Sequence, residues 1–110
     1  MTTEVLALEK QLKDAKFLIA RRDAAIKLHS NREFKQLIID DFCETECARF
    51  AQMSADPALG PNERADALAM AQAAGHLKRY LSVIVQMGNV SAGSIVSIEE
   101  ALDEVRAEEQ

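Results

Sequence analysis

The sequence predicts an all-α protein, and two observations support that class. Gly (4) and Pro (2) are scarce in the chain, so it lacks the many turns that a β-sandwich or barrel requires. Apolar residues recur at three- and four-residue intervals, which is the period of an amphipathic helix. A chain of 110 residues has the length of one domain. We therefore expect a single helical domain over residues 1–110.

The N-terminal segment, residues 3–29, has the clearest apolar pattern. Its heptad-like seam contains no Gly or Pro and predicts a long, coiled-coil-like helix. Further apolar residues, such as Leu6 and Phe17, lie beside the seam, so we expect this helix to pack against more than one other helix. The seam residues expected to contact another helix are Val5, Leu8, Leu12, Ile19 and Ile26.

Residues 31–54 and 62–87 are predicted to form an antiparallel helical hairpin. The sequence from Ser30 to Glu33 reads as a capping box at the start of the first of these helices. Whether the preceding helix breaks there or only kinks stays open, because no Gly or Pro forces a stop. The connecting stretch SADPALGPNE contains both prolines and a glycine, which is typical of a loop, and Pro61 suits the first turn of the next helix.

A second break is predicted at residues 88–94, followed by a short acidic C-terminal helix over residues 97–109. A helix of that length is marginal alone in water and needs a partner. Because residues 10–35 are rich in bases and residues 99–110 in acids, we expect the N- and C-terminal helices to pair, within one chain or between chains. The apolar seam of the C-terminal helix consists of Ile95, Ile98, Leu102 and Val105.

No catalytic, cofactor-binding or metal site is recognisable in the sequence. Cys43 and Cys47 lie one helical turn apart among apolar residues, which favours two buried, reduced thiols, since a zinc site needs two further ligands. Neither histidine is placed to activate a cysteine, and no phosphate-binding glycine motif is present. We therefore expect a protein that is not an enzyme and has no metal and no cofactor.

Charge and hydropathy limit the classes of partner. Thirteen Lys and Arg residues against eighteen Asp and Glu residues give a net charge of -5, which disfavours binding to a polyanionic nucleic acid. No apolar run is expected to reach the ~18 residues of a membrane span, and the N-terminus lacks a signal-peptide pattern, so we expect a soluble intracellular protein without a membrane partner. The one basic contact patch expected outside the seams consists of His76, Lys78, Arg79 and Tyr80, although an ordinary structural histidine is the simpler interpretation of His76.

Several stretches of the sequence carry a resemblance to a known group of proteins. They are FKQLI at residues 34–38, SADP at 54–57, AAGHLKRYL at 73–81, QMG at 86–88 and EEALDEVRAEE at 99–109. In these stretches the chain resembles small all-helical accessory proteins encoded by tailed bacteriophages. The resemblance implies a phage origin and a part in the virion, in its assembly or in control of the host. It also implies a location in the cytoplasm of an infected bacterium or within the virion.

Two functional hypotheses from different classes follow. The first is a non-enzymatic, homo-oligomeric accessory protein that acts through helix–helix contacts as a virion structural or assembly component and contacts another phage or host protein. The second is a small helical inhibitor of a host protein or host defence signal, with the basic patch as its contact site. A nucleic-acid adaptor that uses the early basic residues is a third and less favoured hypothesis.

Overall fold

A computed structural model describes residues 2–109, and every regular element within that range is helical. The all-α prediction is therefore confirmed. The elements in chain order are α1 (Thr3–His29), α2 (Arg32–Phe34), a π-helix (Lys35–Glu46), α3 (Cys47–Ser54) and α4 (Pro61–Glu108).

The long helix α1 covers the range of the predicted coiled-coil-like segment. Its first turn is capped by Thr2, whose Oγ1 accepts a hydrogen bond from the N–H of Val5 at 3.2 Å. After His29 the helix is interrupted, and Asn31 has extended backbone angles while its Oδ1 accepts a hydrogen bond from the N–H of Phe34 at 2.8 Å. The capping box predicted from Ser30 is thus wrong by one residue, because the Asn31 side chain is an equally good N-cap.

Residues 32–54 form one helical stretch whose central part is wound more widely than an α-helix. Lys35–Glu46 is π-helical, and at its end the N–H of Cys47 reaches the carbonyl of Phe42, five residues back. Hydrophobic spacing predicted an ordinary helix over residues 31–54. The spacing shows which residues face a neighbour, but it does not fix whether each N–H bonds four or five residues back.

Helix α4 is the largest departure from the predicted organisation. It runs without interruption from Pro61 to Glu108, so the helix predicted to end at residue 87, the break at 88–94 and the separate helix at 97–109 are all wrong. No described glycine has a positive φ angle, and the hydroxyl of Ser94 donates to the carbonyl of Ser91 at 3.1 Å, a bond that Ser makes inside a helix. Residues that commonly end helices are therefore accommodated within this one.

The chain divides into two compact units, and α4 contributes to both. The N–C unit combines the described residues up to Ile26 with those from Val83 onward. In it, Glu9 accepts a hydrogen bond from Arg106 at 2.8 Å, and Arg22 donates to Asn89 at 3.2 Å. Because partners later in α1 lie earlier in α4, the two helices are antiparallel. This confirms the expected pairing of the basic N-terminal and acidic C-terminal segments, and places it within one chain.

The second unit, which we call the middle unit, comprises Lys27–Ser82. Here the thiol of Cys43 lies 4.0 Å from the carbonyl oxygen of Ala74, and that of Cys47 lies 3.5 Å from the carbonyl oxygen of Ala71. The order of these contacts makes the two segments antiparallel. The buried residues in this unit include Ala67 and Ala74, so small side chains let the backbones approach closely.

Candidate interaction surface

The two apolar seams predicted from the sequence lie in the N–C unit, and the chain itself covers much of both. Val5 is 1% exposed and Leu102 is 2% exposed, while Leu12 and Leu102 line the same groove between α1 and α4. Ile26, at the end of its seam, is 48% exposed. The remaining seam residues are half-buried: Leu8, Ile19, Ile95, Ile98 and Val105. Both seams therefore serve first to pair the two helices of one chain.

Gly88 lies where α1 approaches α4 closely. A Cβ added at this position would overlap the Cβ of Arg22 and lie 2.8 Å from its Cγ. The aliphatic part of Arg22 thus occupies the space that a side chain on α4 would need, while its guanidinium bonds to Asp23 and Asn89. The residues predicted to end the helix at Gly88 and Asn89 instead form a docking point for Arg22.

An apolar groove lies beside this contact. It has a volume of about 280 Å³ and is lined by Leu18 of α1 and by Gln86, Met87, Val90 and Ser91 of α4. Val90 is 70% exposed and Met87 is 46% exposed, and no charged residue among residues 2–109 lines the groove. Its walls suit an apolar side chain from a partner, because burial of apolar surface is the main driving force of association.

A second groove in the N–C unit is charged. Its volume is about 240 Å³, and besides Leu12 and Leu102 it is lined by the bases Lys16 and Arg106 and the acids Glu99 and Asp103. Two charges of each sign balance one another, so this groove favours no anion or cation. We assign it no ligand.

The face of α1 that points away from α4 also carries apolar side chains. Phe17 is 61% exposed and Leu6 is 51% exposed, and their separation of eleven residues places them on the same side of a helix. The guanidinium of Arg21 lies 5.8 Å from the centroid of the Phe17 ring, which is within the range of a cation–π contact. Apolar residues beside the main seam had indicated that α1 packs against more than one helix, and these two have no such cover.

The predicted basic patch lies in the middle unit. All four of its residues are exposed, with Tyr80 at 57%. His76, Arg79 and Tyr80 share one face of α4 at the spacing of helical neighbours. Lys78 differs, because its charge acts on the thiol of Cys43 and so it faces the other segment of the unit. Three of the four residues, rather than all four, thus form a common surface.

The two cysteines are free thiols within the middle unit, with Cys43 buried and Cys47 half-buried. Burial raises the pKa of the Cys43 thiol above its usual value, and the nearby positive charge of Lys78 opposes this rise. A raised pKa keeps the thiol protonated at neutral pH, and a protonated thiol is a poor nucleophile and metal ligand. The environment of Cys43 therefore does not activate it.

Replacing both cysteines by Ala is expected to leave the fold and the oligomeric state unchanged, with a stability loss of roughly 1–2 kcal/mol for two small truncations. Circular dichroism, urea unfolding and native mass measure the three quantities. Stoichiometric zinc in the purified protein, lost from this variant together with the fold, would contradict the assignment of inert thiols.

Among residues 2–109, no group of three or more His, Cys, Asp or Glu residues is placed to hold a metal ion.

By length and composition, one described helix, Pro61–Glu108, is able to cross a membrane, since an 18-residue window within it has a mean hydropathy of 1.5 and is 17% buried. The expectation that no apolar run approaches that length is wrong, because residues 81–98 contain no Asp, Glu, Lys or Arg.

Comparisons with known proteins identify no relative. No protein-family model matches the chain, and no curated protein or solved structure is similar to it.

Proposed function

We propose that this protein is a non-enzymatic assembly component that acts by self-association of its N–C unit. The observation that carries the proposal is the amount of apolar surface left exposed after α1 and α4 have paired. Six large apolar side chains of this unit are 46–70% exposed, namely Leu6, Phe17, Ile26, Met87, Val90 and Val96.

Two helices alone cover only one side of each other, and this accounts for the exposed residues. Complete burial of a Val, Leu, Ile, Phe or Met side chain contributes roughly 1.5–3 kcal/mol, so covering six partly exposed ones contributes several kcal/mol. Exposed apolar surface is a feature of protein–protein contact sites. The uncharged groove lined by Met87 and Val90 offers a site for an apolar side chain of a partner.

The resemblance to phage-encoded helical proteins supports a biological setting for this activity. We place the protein in the cytoplasm of an infected bacterium, where it assembles as an accessory of the virion or of its construction. In that role a homo-oligomer would also contact another phage protein or a host protein.

Replacing Phe17 and Val90 together by Ser is expected to weaken self-association by about tenfold or more, because both apolar side chains are largely solvent-exposed in the single chain and become buried only in the assembly. Multi-angle light scattering across a dilution series measures the midpoint concentration. The matched control is Leu68→Ser, which removes a 47% exposed leucine from the middle unit and should leave that midpoint unchanged. An oligomer of unchanged midpoint in the Phe17/Val90 variant would contradict the proposal.

A second candidate, the inhibition of a host protein, is supported by the exposed face that His76, Arg79 and Tyr80 share. It predicts a stoichiometric complex with one bacterial protein that the substitution Arg79→Glu abolishes. Co-purification from infected cells distinguishes the candidates, since an assembly component accompanies phage particles or their precursors.

A further inference from the structure

The outward face of α1 combines apolar and basic side chains in a regular order. Leu6, Lys10, Lys13 and Phe17 follow a 4-3-4 spacing, which places them along one side of the helix, and all four are exposed. We call these four residues the basic stripe. Neither lysine makes an ion pair with any residue of the described range.

The outward face of α4 in the N–C unit has complementary properties. Gly93, Val96, Glu100 and Glu104 lie at 3-4-4 spacing and form an exposed line that we call the acidic stripe. A Cβ added at Gly93 would meet nothing within 4 Å, so the helix has an open notch at this point. Glycine inside an exposed helix is destabilising relative to alanine, and no atom of the described residues crowds this position.

The register of α1 against α4 within the chain serves as the reference for aligning the two stripes. Glu9 meets Arg106, and Arg22 meets Gly88 and Asn89. When a second copy of α4 lies antiparallel on the outward face of α1 in this same register, Lys10 is opposite Glu104 and Lys13 is opposite Glu100. Phe17 is then opposite Val96 and the notch at Gly93, where space exists for an aromatic ring.

From this charge and shape complementarity we propose that the basic stripe of one molecule binds the acidic stripe of a second copy of the same chain. The inference rests on the proposed self-association and identifies the surfaces that perform it. The contact is heterologous, because two different faces meet. A pair of molecules therefore still has one unused basic stripe and one unused acidic stripe. Assembly therefore continues beyond a dimer, into a closed ring or an open row of alternating α1 and α4 helices.

The charges in this contact set its register more than its strength. Exposed ion pairs contribute little each and are screened by salt, whereas Phe17 and Val96 supply the apolar burial. Assembly should accordingly weaken with added salt without being abolished. Reversal of the charges on one stripe brings like charges together and opposes docking.

The test is a charge exchange between two variants. One carries Lys10→Glu and Lys13→Glu, so that both stripes are acidic, and the other carries Glu100→Lys and Glu104→Lys, so that both are basic. Each variant alone is expected to assemble about tenfold or more weakly than the unmodified chain. Their equimolar mixture should recover the native mass, because acidic then meets basic at every contact.

Helix content by circular dichroism shows whether each variant folds. The milder variant with Lys10→Gln and Lys13→Gln removes charge without adding repulsion, and its assembly should no longer depend on salt. It replaces the charge-reversed variant in the test if that variant does not fold. An oligomer of native mass in each folded, charge-reversed variant alone would overturn this inference and leave the proposed self-association standing. A monomer of the unmodified chain at every concentration would overturn both.

A lipid surface is the competing occupant of the basic stripe. Flotation with vesicles of phosphatidylserine and phosphatidylcholine measures this outcome. Binding of the unmodified chain to these vesicles as a monomer, and its loss in the Lys10/Lys13 variant, would overturn the assignment of a second copy.

Discussion

Replacing Leu102 by Asp is expected to separate α1 from the C-terminal part of α4. Leu102 is 2% exposed and lines a groove together with Leu12, so the change removes a buried apolar side chain and places a carboxylate at an almost fully buried position. The combined cost is about 4 kcal/mol or more. Hydrogen exchange of the amides in residues 3–26 and 83–108, together with urea unfolding, measures the effect.

The matched control for this prediction is Leu37→Asp, the same chemical change at a leucine that is 60% exposed, which should cost well under half as much. Deleting residues 95–110 should reproduce the loss of protection in α1, and so should Val105→Asp together with Leu102→Asp. Neutralising Glu99, Glu100 and Glu104 should leave the pairing of α1 with α4 intact, because exposed charges contribute little to it. Unchanged exchange of α1 amides in the Leu102→Asp variant would contradict the structure of this unit.

Replacing Gly88 by Ala should destabilise the protein by roughly 1–3 kcal/mol, although alanine is the better helix former. The added methyl group would overlap the Cβ of Arg22, and because this atom is fixed to the backbone of α1, the two helices must move apart. Thermal unfolding by circular dichroism measures the change.

Gly75→Ala provides the control of opposite sign. A Cβ at Gly75 meets nothing within 4 Å in the same helix, so this substitution should stabilise the protein by about 0.5–1 kcal/mol through helix propensity alone. If both variants gained stability equally, Arg22 would not lie against Gly88.

Local sequence signals predicted the fold class, the range of α1 and the loop before Pro61. These features are set by residues close together in sequence, namely a long apolar periodicity and a pair of prolines. The same signals failed at residues 88–94. Gly88 and Asn89 are common helix terminators, but here Gly88 is selected by the close approach of Arg22, which is distant in sequence. Helix propensity depends only on residues nearby in sequence, so it does not predict such a contact.

The candidate site was predicted in part for a similar reason. The seams that include Val5 and Leu102 were correctly placed on the faces that bury apolar surface, since spacing identifies a face. Spacing does not identify the partner, so the pairing was expected either within one chain or between chains, and the structure shows it within one chain. Phe17 and Val90 are available for contacts with other molecules because they lie on sides of α1 and α4 that the paired helix does not cover.

The uncharged stretch 81–98 is also ambiguous, because its composition suits either a membrane span or a helix packed against other helices. Its hydropathy fits a membrane span by composition, yet in the structure it contacts α1 through Gly88 and Asn89. Arg22, with its guanidinium bonded to Asn89, belongs to a helix rich in charge. We therefore interpret the exposed apolar side chains of this stretch as contacts for further helices.

The mass of the unmodified protein in solution tests the central claim most directly. The chain has a mass of 12.1 kDa, and self-association through the N–C unit predicts a larger, discrete or growing assembly that dissociates on dilution and weakens with salt. Sedimentation equilibrium from micromolar to millimolar concentration distinguishes the outcomes. A species of 12.1 kDa throughout that range, with α1 and α4 fully protected from hydrogen exchange, would contradict the account.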